Sequence, residues 1–186
     1  MKKYLIASAA LVACLGFAVA AGDIKSGPQV GEKLPGPFHP LNINGSAAGK
    51  KNCLYCSNGE NPVAMIFAKE DSKQLNTLIK MIDACTAKHS DCSMGSFVVF
   101  CSDDKNLEEQ LKKVVKDTDL KQTVLAIDNP GGPDKYNVSK DAAVTVVLYR
   151  ERTVKANYTY ANAKEITDKE IERILGDVAK ILPEKK

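Results

Sequence analysis

The sequence reads as an α/β protein built on a mixed β-sheet flanked by helices. Three observations predict this. Short continuous apolar runs of strand length alternate with segments of helical periodicity. Two strand-like segments, Val144–Tyr149 and Thr153–Tyr160, are joined by only three residues. The chain then closes on a strongly amphipathic stretch stopped by Pro183.

The elements follow in order. Residues 22–48 carry Gly27-Pro28, Pro35-Gly36-Pro37, Pro40 and Gly45, with poor periodicity. They read as a linker and an irregular arm with one short strand near Phe38–Ile43. Val63–Ala68 is apolar throughout, as a strand buried on both faces would be. Ser72–His89 is predicted as a helix, because Leu75, Leu78, Ile79, Ile82 and Cys85 fall on one face; Asp71 or Ser72 can cap it. Phe97–Cys101 is a second buried strand. Leu107, Leu111, Val114 and Val115 mark a second helix entered through Asp103-Asp104, and Val124–Ile127 is a third strand. The run Asp128-Asn129-Pro130-Gly131-Gly132-Pro133 forces an irregular loop.

Arg150-Glu151-Arg152 is too short to hold a helix, so the strands on either side must form an antiparallel hairpin. In the second of them Val154, Ala156, Tyr158 and Tyr160 alternate with polar residues, which predicts one wet face. Thr167-Asp168-Lys169-Glu170 is a capping-box pattern. It precedes Ile171, Ile174, Leu175, Val178, Ile181 and Leu182 on one helical face. Strands separated by helices require parallel neighbours and right-handed crossovers, and the helices are expected on both faces of the sheet.

Composition bounds the function. The chain has 186 residues, 44% hydrophobic and 26% charged, which is ordinary for a globular protein and excludes a disordered or collagen-like chain. The N-terminus, MKKYLIASAALVACLGFAVAAGD, has a charged start, an apolar run and a small-x-small pattern at Ala18-Val19-Ala20. It reads as a secretory signal peptide over residues 1–20, so the protein is expected to be exported, periplasmic or secreted. Two alternatives remain open: a retained membrane anchor, and a lipobox at Leu11-Val12-Ala13-Cys14 that would lipidate Cys14. Setting Lys2 and Lys3 aside from the 26 basic residues leaves 24 against 23 acidic. That near-neutral balance gives no electrostatic case for nucleic acid, nor for a membrane unless Cys14 carries lipid.

Export places the cysteines in an oxidising compartment. Five follow Ala20: Cys53, Cys56, Cys85, Cys92 and Cys101. Five is odd, so at least one thiol is unpaired or pairs between chains. Cys53-Leu54-Tyr55-Cys56 brings two sulfurs within reach of a tight turn. Such a small loop constrains the unfolded chain little, which favours a redox use over a mechanical one. Cys53 would attack and Cys56 resolve, with Lys50 and Lys51 favouring the Cys53 thiolate. A static staple and a metal pair are the other readings. A zinc site would need Cys85, His89 and Cys92 to join residues 53–56. With only His39 and His89 present, a multi-histidine site is excluded, and no metal or other cofactor is expected.

Cys85 and Cys92 could close a loop at a helix end, or stand as a core residue and an exposed thiol. Cys101 ends a strand and could line a site, or be core. Asp103, Asp104 and Asp128 follow strand ends and could hold a cation, although capping and turn formation explain them equally.

The element order, the exported context, the Cys53/Cys56 motif, and the stretches GKKNCLYCSNGENPVAMIF (Gly49–Phe67) and VTVVLYRERTVKA (Val144–Ala156) together resemble the thioredoxin-like superfamily, in its redoxin branch. They are most similar to a group of secreted bacterial members with a CxxC before the first core strand. The resemblance covers roughly residues 35–182 and implies a thioredoxin-like domain over residues 49–183. It also implies thiol–disulfide exchange with thiol- or disulfide-bearing partner proteins through Cys53 and Cys56. The alternative is a non-catalytic binding or scaffold module with a structural bridge.

The sequence departs from the superfamily pattern in three places. Thioredoxins carry the reactive CxxC after the first core strand, where this chain has Lys69-Glu70-Asp71-Ser72. They place a cis-proline before the penultimate strand, where this chain has Asp141-Ala142-Ala143-Val144-Thr145. The threonine-cysteine pattern of peroxiredoxins is missing after Phe67.

Overall fold

The computed structural model describes residues 24–184; the expected signal peptide and Cys14 lie outside the described residues. The elements are β1 (Leu41–Asn42), α1 (Leu54–Asn58), β2 (Val63–Ala68), α2 (Lys73–Lys88), β3 (Gly95–Cys101), α3 (Leu107–Thr118), β4 (Val124–Asp128), β5 (Val144–Arg150), β6 (Thr153–Tyr160) and α4 (Asp168–Asp177). They form one six-stranded sheet in the order β1-β4-β3-β2-β5-β6. Strands β2, β3 and β4 are parallel, whereas β5 runs antiparallel to β2 and pairs with β6 as the expected hairpin.

The apolar runs are strands because every residue of β2 is buried on one face or the other. Ala64, Ile66 and Ala68 face one core layer, and Val63, Met65 and Phe67 face the second. Helices lie on both faces, as expected, but the long ones share one. Helices α2, α3 and α4 all pack on the first layer, and the opposite face is covered by Leu34 and Phe38 of the arm, Leu54 of α1, and Tyr136. The cause is topological. The chain steps from β2 to β3 to β4 in one direction, and right-handed crossovers taken in one direction fall on one side of a sheet.

The arm fills the side left open. Gly31 and Leu34 N–H groups donate to the Val154 and Arg152 carbonyls, and Val154 N–H donates to Glu32. Ser26 is buried, accepts from the Thr145 hydroxyl, and offers its carbonyl to the Asn157 amide. The side of β6 expected to be wet is therefore overlaid by residues 26–28 at Asn157.

Local signals explain the helix ends. Ser72, rather than Asp71, caps α2 by accepting from Leu75 N–H at 3.2 Å. Thr167 caps α4, accepting from Glu170 N–H. The other half of the expected capping box is not made: the Glu170 carboxylate accepts from the Tyr160 hydroxyl at 2.8 Å and pairs with Arg173. On the same helix Asp177 accepts from Tyr158 and from Lys180. These bonds tie α4 to β6, the strand that immediately precedes it.

One buried carboxylate organises the entry to β4. Asp83 of α2 accepts N–H bonds from Lys121, Gln122 and Thr123, the last two at 2.8 and 2.7 Å. Thr123 continues into a buried hydroxyl chain through Ser96 to Thr86. Replacing Asp83 with Ala leaves three backbone donors without that acceptor, so unfolding by urea should show a loss of about 3 kcal/mol, with Asp83→Asn losing less.

The α4 contacts predict an acid-limb effect. Glu170 is held below its ordinary pKa, first by the Tyr160 hydroxyl and then by Arg173. Asp177 is held below its own, first by Lys180 and then by Tyr158. A carboxylate lowered in the folded state adds stability that is complete above its unfolded value. That stability is lost as pH falls through the folded one. Tyr160→Phe should therefore flatten the decline of stability with acidification, measured as urea midpoints across the acid range.

Candidate functional site: the Cys53–Cys56 turn

Cys53 and Cys56 are bonded, with their Cα atoms 5.2 Å apart, within the ordinary range for a disulfide. Cys53 is the N-cap of α1, and its sulfur accepts the Cys56 N–H at 3.1 Å. Leu54 anchors the turn in the core, and Asn58 donates its side-chain amide to the Leu54 carbonyl at 2.8 Å. Helix α1 has only five residues, too few for a developed macrodipole, so the N–H to sulfur contact is the local electrostatic feature.

The two residues differ in exposure. Cys53 is 7% exposed, whereas Cys56 is exposed. Cys53, expected to attack, is thus the more buried of the two residues, and Cys56, expected to resolve, the more exposed. Lys50 and Lys51 are exposed just upstream. Arg152 of the β5–β6 turn lies over the Tyr55 ring, 4.7 Å from its centroid.

The site lies at the amino ends of the parallel strands. The Asn58 side chain occupies the space where a Cβ on Gly95, the first residue of β3, would stand, 1.8 Å from Oδ1. The Glu60 carbonyl accepts the Glu151 N–H from the β5–β6 turn. This is the pole opposite to the turn after β2. There Lys69 N–H donates to Ala143, and the peptide bonds of Asp141–Thr145 are all trans. The only cysteine near that second pole among the described residues is Cys101. It is buried at the end of β3, and burial pushes its thiol up to about 12, with Lys69 opposing weakly.

The remaining candidates separate. Cys85 and Cys92 are free rather than bridged. Cys92 donates to the His89 carbonyl at 3.2 Å, and burial raises the Cys85 thiol. Among the described residues no group of three His, Cys, Asp or Glu side chains could hold a metal ion, and the sulfurs of Cys53 and Cys56 are spent on each other. Asp104 accepts from Asn106 N–H and Asp128 from Asn129 N–H, so both serve local turns, and Asp103 sits exposed beside them. His39 lines a depression with Asp128 and Asp134 that neither Cys53 nor Cys56 enters. Arg152 is the site residue that sequence reasoning missed. Only the three-residue link Arg150-Glu151-Arg152 signalled a turn there, and nothing in it signalled a contact with Tyr55.

No protein-family model matches the chain, and no curated protein matches it. Solved structures do. A disulfide-isomerase-type protein from Bacteroides thetaiotaomicron aligns with a TM-score of 0.62 at 19% identity, covering 86% of this chain and 94% of the other. A secreted disulfide oxidoreductase from Mycobacterium tuberculosis, homologous to E. coli DsbE, aligns at 0.52 and 14% identity, covering 76% and 94%. A 2-Cys peroxiredoxin from Plasmodium vivax aligns at 0.58 and 21% identity, covering 81% and 96%.

Gly95 supplies a direct probe of the site. Gly95→Ala pushes a methyl group into Asn58 and should cost about 1–3 kcal/mol by overpacking. It should also speed dithiothreitol reduction of the Cys53–Cys56 bond, followed by alkylation and mass spectrometry. The order of elements, the mixed sheet and the terminal hairpin with its helix together give this chain a thioredoxin-like fold, the fold of the redoxins, with a CxxC disulfide at its amino pole.

Proposed function

We propose that this is an exported thiol–disulfide exchange protein acting through Cys53 and Cys56. The observation that carries the reading is a bonded CxxC whose second residue, Cys56, is exposed while the first, Cys53, is buried. Export is supported by the signal-peptide pattern of residues 1–20 and by the cysteine pair itself, since such bonds persist in oxidising compartments. The secreted disulfide oxidoreductase among the fold neighbours adds support.

The exposed residue sets the order of steps. A partner thiolate attacks Cys56 Sγ, the Cys53–Cys56 bond breaks, and Cys53 leaves as a thiolate that accepts the Cys56 N–H. The partner's second thiolate then attacks its own sulfur in the mixed disulfide and releases Cys56. The partner loses two electrons and gains a disulfide, and this protein takes up both electrons as a dithiol. The reverse sequence reduces a partner. Cys56 acts as nucleophile and Cys53 as resolving thiol, the opposite of the order expected from the sequence.

The second reading is a non-catalytic module with a structural bridge. It is favoured by the position of the disulfide at the pole opposite to Lys69–Ser72, where thioredoxins carry their reactive pair. Single-cysteine variants separate the two. Cys53→Ser should accumulate mixed disulfides through Cys56 when incubated with reduced insulin chains and a mild oxidant, and Cys56→Ser should accumulate at least tenfold fewer, read on non-reducing gels. Equal and negligible trapping by both variants would favour the structural bridge.

A further inference from the structure

We infer that the surface around the Cys53–Cys56 disulfide selects a protein segment with acidic residues flanking its cysteine, and that Arg152 is the specificity-determining residue. The inference rests on the exchange reading above. Three cations stand around this turn without a carboxylate partner among the described residues: Lys50, Lys51 and Arg152. The only acidic residue between Gly49 and Lys69 is Glu60. Glu151, the other acid at the turn, already pairs with Arg150 at 3.4 Å, and its carbonyl receives the Lys33 ammonium at 3.0 Å.

Arg152 is the most specific of the three. Its guanidinium is fixed over Tyr55, the residue preceding Cys56. Its backbone is fixed as well, with φ at +59° in a two-residue turn and its carbonyl taken by Leu34 N–H. Yet no hydrogen bond or ion pair among the described residues engages the guanidinium: Nε is shielded without an acceptor, while the half-buried side chain leaves its two terminal nitrogens for a ligand. A buried donor without a partner is costly, and a guanidinium held in one orientation is suited to a carboxylate, which it can bind through two parallel bonds. An incoming chain whose carboxylates lie beside its thiol satisfies Arg152 while presenting sulfur to Cys56. Lys50 and Lys51 add longer-range attraction that draws the same segment in.

Two synthetic dithiol peptides test this. They are identical except that Asp and Glu in one replace Lys in the other beside the cysteines. Each is oxidised by the wild-type Cys53–Cys56 form under stopped flow. The acidic peptide should react about tenfold faster at low salt, and the preference should shrink towards parity in molar salt. Arg152→Gln should remove most of the preference, and Arg152→Lys should retain part of it. Equal rates for the two peptides with the wild-type protein would overturn the inference while leaving exchange intact. No reaction with either would overturn the exchange reading and this one with it.

Discussion

The structure depends on a sheet that must be dry on both sides and has long helices for only one. Every residue of β2 is buried, and its alternate side chains feed two separate core layers. The parallel strands step in one direction, so right-handed crossovers send α2 and α3 to the same face, where α4 joins them. The other layer, with Met65, Phe67, Phe97 and Tyr149, would meet water without a cover made from chain outside the crossovers. Residues 26–38, α1 and Tyr136 provide it, with Phe38 and Phe67 both meeting the Tyr136 ring edge-on.

The placement of the disulfide follows from that cover. Helix α1 reaches the amino end of β2 only because Leu54 is drawn into the second layer and Asn58 settles over Gly95. The residue before it is the N-cap, and Cys53 fills that role with its sulfur. Packing thus sets the two cysteines apart: the capping residue Cys53 is buried and Cys56 is exposed.

Much of this was legible in the sequence, and the parts that were not have physical reasons. Strands β2 to β6 and helices α2, α3 and α4 announce themselves by apolar runs or period, because their residues pack against the core layers on one or both faces of the sheet. Ser72 and Thr167 are read as caps for the same local reason. The Glu170 half of the capping box failed because Tyr160, ten residues away and brought close only by the fold, offers a better partner. The crowding of three helices on one face could not be read either, since element order leaves the direction of strand stepping open. The CxxC pair was visible, but the exposure of its two residues was not, because that depends on where Leu54 is buried. Arg152 over Tyr55 joins residues that are 97 positions apart, a distance that periodicity cannot bridge.

The central claim is that the Cys53–Cys56 bond exchanges electrons with other molecules. Its reduction potential tests this most directly, measured by equilibration with glutathione buffers and quantified by alkylation of both residues. An accessible exchanging pair should lie between about −270 and −120 mV, the range of known oxidoreductases. A potential below about −300 mV, typical of structural disulfides, would contradict the claim.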